Sequence, residues 1–201
     1  MRIVVLCEGK TEKVLKPALS EWLGEQLPKT STGTGIDTKP VHHQLVGAKF
    51  RRQVELNCAR NDVLGVIGLT DVYGAFESAA SAKAALEESV AGCPNVGKFR
   101  PHVALFELEA WLMPFWDDIA KSIGVKAKKP GVKPEAINHE KPPSKHLKEL
   151  FRQAKQPRRN YDKVRHAWKW LTAERLGRAA EVCPELKAFL NSLLELAGGE
   201  A

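Results

Sequence analysis

Residues 2–9 read Arg-Ile-Val-Val-Leu-Cys-Glu-Gly, an aliphatic run that stops at Glu8-Gly9. A short, uninterrupted apolar run predicts a strand buried on both faces, because a half-exposed strand alternates apolar and polar residues. Helical spacing follows over residues 11–27, where apolar residues recur every three or four positions: Val14, Leu15, Leu19, Trp22, Leu23 and Leu27. A buried strand followed by an amphipathic helix indicates an α/β fold.

The alternation continues along the chain. Further strands are predicted at residues 41–46, 62–70 and 101–106, and further helices at 50–61, 78–91 and 110–123. Residues 29–40 contain Gly33, Gly35 and Pro40 and are interpreted as a loop. Strands and helices that alternate in this way predict a mainly parallel, doubly wound sheet with helices on its faces.

The character of the chain changes after Gly124. Residues 126–143 carry four prolines among lysines and are interpreted as a linker, and helices are predicted at 145–154, with Ser144 as the N-cap, at 161–171 and at 184–196. The sequence therefore predicts an α/β domain over residues 1–123, and a basic linker and helical C-terminal region over 124–201 that packs on it.

The formal net charge of +7 is concentrated in one segment. Residues 1–120 hold 13 Lys and Arg against 15 Asp and Glu, whereas residues 121–178 hold 17 against 5. A basic segment of this kind attracts polyanions and gains from counterion release at phosphates, which favours nucleic acid as the partner. The alternative is a solvated lysine-rich segment without a specific partner.

Other features exclude several classes of protein. No apolar run approaches the roughly 20 residues that span a bilayer, so we expect a cytoplasmic protein without a membrane contact. The four cysteines are scattered and form no Cys-x-x-Cys pair, which predicts core thiols in place of disulfides or a zinc site.

Carboxylates follow three predicted strands, namely Glu8 after the first, Asp71 after the most apolar one, and Glu107 and Glu109 after residues 101–106. Ligands of parallel sheets bind at this edge, and clustered carboxylates require a cation such as Mg²⁺ or Mn²⁺. Each acid also has a structural alternative, such as a helix cap at Glu8 or a turn at Asp71. Glu107 and Glu109 face the same side while the strand lasts, but only one could be a ligand if a helix begins at Glu109.

The segment Val5 to Glu12, VLCEGKTE, is similar to the strand, Glu-Gly-x-Thr-Glu motif and helix of the topoisomerase-primase (TOPRIM) superfamily. Residues 68–74, GLTDVYG, and 106–112, FELEAWL, resemble the later motifs of a small bacterial branch of that superfamily. Pro-Ser-Lys-x-Leu at 143–147 and Tyr-Asp-Lys at 161–163 resemble the basic helical tail of the same branch.

The resemblance implies a four-stranded parallel sheet, a Mg²⁺ site, and strand cleavage or transfer on DNA or RNA with Glu8 as general acid/base. Lys10 is assigned to the same catalytic group, where it would hold a phosphate. The superfamily usually has Asp-x-Asp where this chain has Asp71-Val72-Tyr73, so Glu107 or Glu109 would have to supply the missing ligand. Phe106 stands where the branch commonly has His.

The basic C-terminal region supplies the predicted nucleic-acid contacts, which are Lys145, Arg158, Arg159, Lys163 and Arg165. Aromatic residues lie among these cations, a mixture that suits base stacking beside backbone contacts. Helical spacing nevertheless predicts that Tyr161, Trp168 and Leu171 form a buried stripe.

The leading hypothesis is a Mg²⁺-dependent nuclease or nucleotidyl-transferring enzyme. Members of the branch look like parts of bacterial defence or mobile-element systems, which implies a partner ATPase; the oligomeric state stays open, a homodimer included. One alternative is a non-catalytic nucleic-acid-binding or regulatory subunit with a degenerate metal site. Another is a phosphohydrolase of small phosphorylated molecules, which would show little dependence on salt.

Overall fold

The chain forms a four-stranded, all-parallel sheet flanked by helices, as the sequence predicts. The computed structural model describes residues 1–9, 12–28, 33–41, 45–131, 133–136, 141–154 and 161–199. The strands are β1 (Arg2–Cys7), β2 (Gly35–Pro40), β3 (Val63–Asp71) and β4 (Phe99–Ala104), in the order β2-β1-β3-β4. All four carboxyl ends therefore lie at one edge of the sheet.

The α-helices of the described chain are α1 (Glu12–Gln26), α2 (Ala48–Cys58), α3 (Ala79–Val90), α4 (Trp116–Ser122), α5 (Pro143–Arg152), α6 (Lys163–Trp170), α7 (Ala173–Ala180) and α8 (Pro184–Leu196). Helix α7 is absent from the sequence prediction, although Thr172 caps it by accepting a hydrogen bond from the Arg175 nitrogen at 3.3 Å. The predicted helix at 110–123 is instead a 3-10 helix over Leu108–Phe115 followed by α4. Pro114 lies inside that segment and cannot donate a backbone hydrogen bond.

Residues 42–44 of the predicted second strand at 41–46 lie outside the described residues, and Val41, Leu45 and Val46 are not part of a strand. The second strand is Gly35–Pro40, inside the segment 29–40 for which the sequence predicts a loop. The strand order makes β2 an edge strand of the sheet. Only Ile36 of this strand is buried, so the strand carries no apolar run. Glycine and proline are tolerated on an edge strand, which is why the breaker residues were misleading here.

The fourth strand begins and ends two residues earlier than predicted. It covers Phe99–Ala104, and Leu105 and Phe106 form a bend in which Phe106 has a positive φ of 65°. A left-handed backbone conformation is uncommon for an aromatic residue and ends the strand. Glu107 and Glu109 therefore do not continue the strand; a helix begins at Leu108, so of the two alternatives the one in which the side chains diverge applies.

The sheet separates two apolar layers. Val4 and Leu6 pack with Phe50 of α2 and Leu86 of α3 in one buried cluster. On the other face, Ile3, Val5 and Cys7 belong to a larger cluster that also contains residues of α1 and the C-terminal helices, among them Leu15, Leu147, Leu176 and Phe189. The C-terminal helices thus share a core with the first strand, while the boundary near residue 123 stays a prediction.

The cysteine prediction is confirmed, since Cys7, Cys58, Cys93 and Cys183 are all buried thiols. Within the described ranges, no helix has the length and apolar character needed to cross a membrane.

Candidate active site at the carboxyl edge of the sheet

Glu8 lies at the carboxyl end of β1. The register pairs Cys7 with Leu69, which places Glu8 beside Thr70 on the neighbouring strand β3. The buried Thr70 hydroxyl donates a hydrogen bond to Oε1 of the half-buried Glu8. This contact fixes the Glu8 carboxylate at the carboxyl edge of the sheet, next to Thr70, and Asp71 is the residue that follows Thr70.

Asp71 is the last residue of β3, and its side chain is half-buried. The turn that follows is tied to the end of β4, because the Tyr73 nitrogen donates to the Phe106 carbonyl at 2.9 Å. Gly74 continues the turn with a φ of 76°, a conformation that glycine adopts without strain. Glu8 and Asp71 therefore end the two central, adjacent strands at the same edge.

Glu107 holds the amino end of α5. Its Oε2 accepts a hydrogen bond from the Ser144 nitrogen at 2.9 Å, and its Oε1 accepts one from the Ser144 hydroxyl at 3.0 Å. A carboxylate stabilises this end of a helix, where backbone nitrogens have no partner within the helix. The predicted N-cap at Ser144 is wrong, because the N-cap is Pro142 and Ser144 lies in the first helical turn.

Glu109 lies in the interior, with none of its surface exposed. The Tyr161 hydroxyl donates to Glu109 Oε1 at 3.2 Å, and Tyr161 packs against Phe151 with their ring centroids 5.5 Å apart. Burial, followed by the negative charge of Glu109, raises the pKa of Tyr161 far above its ordinary value, so the hydroxyl stays protonated and donates. Burial of Tyr161 and of Leu171 agrees with the predicted apolar stripe, in which Trp168 has no described side chain.

The two motifs that resemble the basic helical tail thus contact the two glutamates of the FELEAWL segment. Ser144 of the Pro-Ser-Lys motif binds Glu107, and Tyr161 of the Tyr-Asp-Lys motif binds Glu109. Sequence reasoning missed these pairs, and it also missed Thr70. A polar residue that ends the apolar run DVLGVIGLT, directly before Asp71, was the available signal for Thr70.

The four acids do not form one cluster in the part of the chain that the structure describes. Among those residues, no group of three or more His, Cys, Asp or Glu side chains is arranged to hold a metal ion. Glu8 and Asp71 share the carboxyl edge, whereas Glu107 and Glu109 bind the C-terminal region. Of the four acids, Glu8 and Asp71 are the pair that the sheet topology places at the ends of adjacent strands.

The predicted nucleic-acid contacts are described only in part. Lys145 is exposed on α5, directly after the Ser144 that binds Glu107. Lys163 and Arg165 lie on α6, but their side chains are outside the described set, as are residues Lys10, Arg158 and Arg159 altogether. Their predicted roles therefore stay predictions.

The all-parallel sheet of order β2-β1-β3-β4, flanked by helices, is the α/β fold that the TOPRIM resemblance implies. The chain belongs to the family described as Domain of unknown function (DUF4276), whose profile matches residues 7–194. The match includes both strand-end acids and most of the C-terminal helices. No curated protein matches the sequence.

The structure also resembles the C-terminal region of the Burkholderia pseudomallei OLD protein. The TM-score is 0.52, the sequence identity is 15%, and the match covers 97% of this chain and 98% of that one. At this identity the likeness shows a shared fold, and it includes the C-terminal helices as well as the sheet.

Proposed function

We propose that this protein is a Mg²⁺-dependent nuclease or nucleotidyl-transferring enzyme that acts on DNA or RNA phosphodiesters. The observation that carries the proposal is the pair of carboxylates, Glu8 and Asp71, at the ends of adjacent central strands. Parallel α/β sheets bind their ligands at this edge. The basic segment 121–178 supplies the charge that a polyanionic substrate requires.

The residues present fit a hard divalent cation. Glu8 and Asp71 offer carboxylate oxygens, and both side chains are half-buried, so that water and substrate reach them. Mg²⁺ takes one or two protein carboxylates and completes its shell with water and phosphate oxygens. The bound ion would polarise the phosphate and lower the barrier to attack on phosphorus.

Each side chain has a role in the proposed reaction. Asp71 and Glu8 would hold the cation, and Glu8 also moves a proton at the attacking or leaving oxygen. Thr70 keeps the Glu8 carboxylate oriented through its hydrogen bond. Lys10 holds a phosphate, and Lys145, Arg158, Arg159, Lys163 and Arg165 hold the nucleic-acid backbone.

A metal role for Glu107 or Glu109 would require these groups to leave their present partners. Glu107 would lose both hydrogen bonds from Ser144, and Glu109 would lose the one from Tyr161. Both therefore serve, in this proposal, to anchor the C-terminal region to the end of β4. A role in bacterial defence or mobile-element systems with a partner ATPase rests on the family resemblance alone.

The second candidate is a non-catalytic nucleic-acid-binding or regulatory subunit. It is favoured by Asp71-Val72-Tyr73 in place of Asp-x-Asp. Val72 is fully buried and the Tyr73 nitrogen is bound to the Phe106 carbonyl, so the turn fits these residues closely. In that case the protein keeps the fold and binds nucleic acid through its basic surface, but it catalyses no reaction.

The test is incubation of purified protein with labelled DNA and RNA in Mg²⁺ or Mn²⁺, beside Glu8→Gln, Asp71→Asn and the control Asp117→Asn. Asp117 is an exposed acid on α4 and does not follow a strand of the sheet. Cleavage or strand transfer that is lost in the first two variants and kept in the control supports the enzyme. Binding without chemistry in the unaltered protein supports the second candidate.

A further inference from the structure

A cavity of about 610 Å³ lies beside the candidate active site, between the carboxyl end of β2 and the start of α2. Its described lining consists of Lys39, Pro40, Val41, Ala48, Lys49, Arg52 and Gln53. None of these residues was singled out from the sequence as a ligand contact. Three of the seven are cationic and three are apolar, so the cavity combines positive charge with an apolar surface.

The charge of this cavity is not balanced locally. Residues 38–54 contain four Lys and Arg and no Asp or Glu. Arg51 pairs with Glu55 at 3.2 Å and does not line the cavity, whereas Lys39 donates to the neutral Asn57 side chain at 2.8 Å. Lys49 and Arg52 are exposed and form no ion pair among the described residues. The positive end of the α2 dipole adds to their field, because Ala48 is the first residue of that helix.

The cavity adjoins the strand that ends in Glu8. The Val41 nitrogen donates to the Cys7 carbonyl at 2.7 Å, and Cys7 directly precedes Glu8. Val41 lines the cavity, and adjacent strands are about 4.8 Å apart. A ligand that is bound against Val41 therefore lies beside the strand that carries Glu8, the proposed catalytic carboxylate.

The geometry points to a nucleotide-binding subsite that takes one unpaired nucleotide of a single-stranded DNA or RNA segment next to the bond that is cut. This assignment rests on the proposed function and adds a substrate class to it. The cations Lys39, Lys49 and Arg52 bind the phosphate, and the base packs on the apolar surface of Pro40, Val41 and Ala48. Gln53 both donates and accepts hydrogen bonds and meets the edge of the base.

The preference for an unpaired nucleotide follows from the proposed packing of its base on Pro40, Val41 and Ala48. A paired base lies inside the duplex and must be unstacked and flipped out before it enters a concave pocket, which costs a few kcal/mol. An unpaired base avoids most of that cost. The subsite therefore selects single strands, flaps or frayed ends over continuous duplex.

The first experiment measures the affinity for a labelled single-stranded oligonucleotide by fluorescence anisotropy, without divalent cation so that no cleavage occurs. The variant is Lys49→Gln/Arg52→Gln, and the matched control is Arg60→Gln/Lys187→Gln, which removes two exposed cations that lie outside this cavity and outside the basic segment 121–178. We expect the cavity variant to bind about tenfold or more weakly and its salt slope to fall by about 1.4, which corresponds to two lost phosphate contacts on a single strand.

The second experiment inserts bulk through Ala48→Trp, at an exposed helical position that tolerates a large side chain. We expect this variant to lose the preference for the single strand over a duplex of the same sequence. Equal losses in the cavity variant and its control, or an unchanged preference in Ala48→Trp, would overturn the assignment. Because binding is read without catalysis, a protein that cleaves nothing but shows these losses retains the subsite and rejects only the enzyme.

Discussion

Ser144 donates two hydrogen bonds to the carboxylate of Glu107, at 2.9 Å from its nitrogen and 3.0 Å from its hydroxyl. This contact joins the start of α5 to the segment after β4, two parts of the chain that are 37 residues apart. Together with the contact between Tyr161 and Glu109, it attaches the basic region to the edge of the sheet that holds Glu8 and Asp71.

Removal of the Glu107 carboxylate should lower stability by loss of this helix cap. We expect Glu107→Ala to reduce the free energy of unfolding by about 1–2 kcal/mol. A double-mutant cycle with Ser144→Ala, followed by urea denaturation, should give a coupling energy of about 1 kcal/mol. Additive effects of the two substitutions would show that the contact contributes no stability.

Tyr161→Phe should destabilise the protein more than loss of a surface hydroxyl does. The substitution removes the Tyr161 donor from the fully buried Glu109 carboxylate, at a cost of about 1–3 kcal/mol. In a Glu109→Gln background, the same substitution should lower the free energy of unfolding by less, because a buried neutral amide is less destabilised than a buried carboxylate when its hydrogen-bond donor is removed. Equal costs in the two backgrounds, measured by urea denaturation, would argue against a charged partner for Tyr161.

Acid should destabilise the protein through His102. This residue is buried, contacts the Ser192 hydroxyl at 2.9 Å, and has its pKa lowered to about 4, chiefly by burial and also by Lys83 and Arg100. The unfolded chain takes up the proton near pH 6.5, so stability that is present above pH 6.5 is lost as the pH falls towards 4.

The expected loss from His102 between pH 7 and pH 5 is about 2 kcal/mol. His102→Gln keeps a hydrogen-bonding group for Ser192 but does not titrate. Urea denaturation at the two pH values should therefore show a weaker pH dependence in the variant. Identical pH dependence in both proteins would mean that the pKa of His102 is not lowered in the folded protein.

Gly68→Ala should disturb the packing of the sheet against α2. A Cβ at this position would lie 3.1 Å from Phe99 Cζ and 3.2 Å from Phe50 Cζ, and neither rigid ring moves easily. We expect a loss of about 1–3 kcal/mol. Gly24→Ala on α1 is the control, because it meets no atom within 4 Å and should be neutral or stabilising. Similar thermal unfolding of the two variants would contradict the packing argument.

The sequence predicted the parts of the fold that local apolar patterns determine. β1 and β3 are buried on both faces, so each appears as an uninterrupted apolar run. β2 has one buried residue because it lies at the sheet edge, and no local pattern marks such a strand. Its polar composition reflects its position in the sheet, which only the tertiary structure defines.

The same limit applies to the candidate site. Parallel topology was enough to place Glu8 and Asp71 at one edge, because consecutive crossovers bring strand ends together. The environments of Glu107 and Glu109 depend on Ser144 and Tyr161, which lie 37 and 52 residues further along the chain. The bend at Phe106, which separates these glutamates from β4, also has no signal in the local apolar pattern.

The most direct test of the central claim is Mn²⁺ binding measured by isothermal titration calorimetry, without nucleic acid. The account predicts that the unaltered protein binds Mn²⁺, that Glu8→Gln and Asp71→Asn each weaken binding about tenfold or more, and that Glu107→Gln binds like the unaltered protein. Absence of binding in the unaltered protein, or equal affinity in Glu8→Gln and Asp71→Asn, would contradict a metal site formed by these two carboxylates.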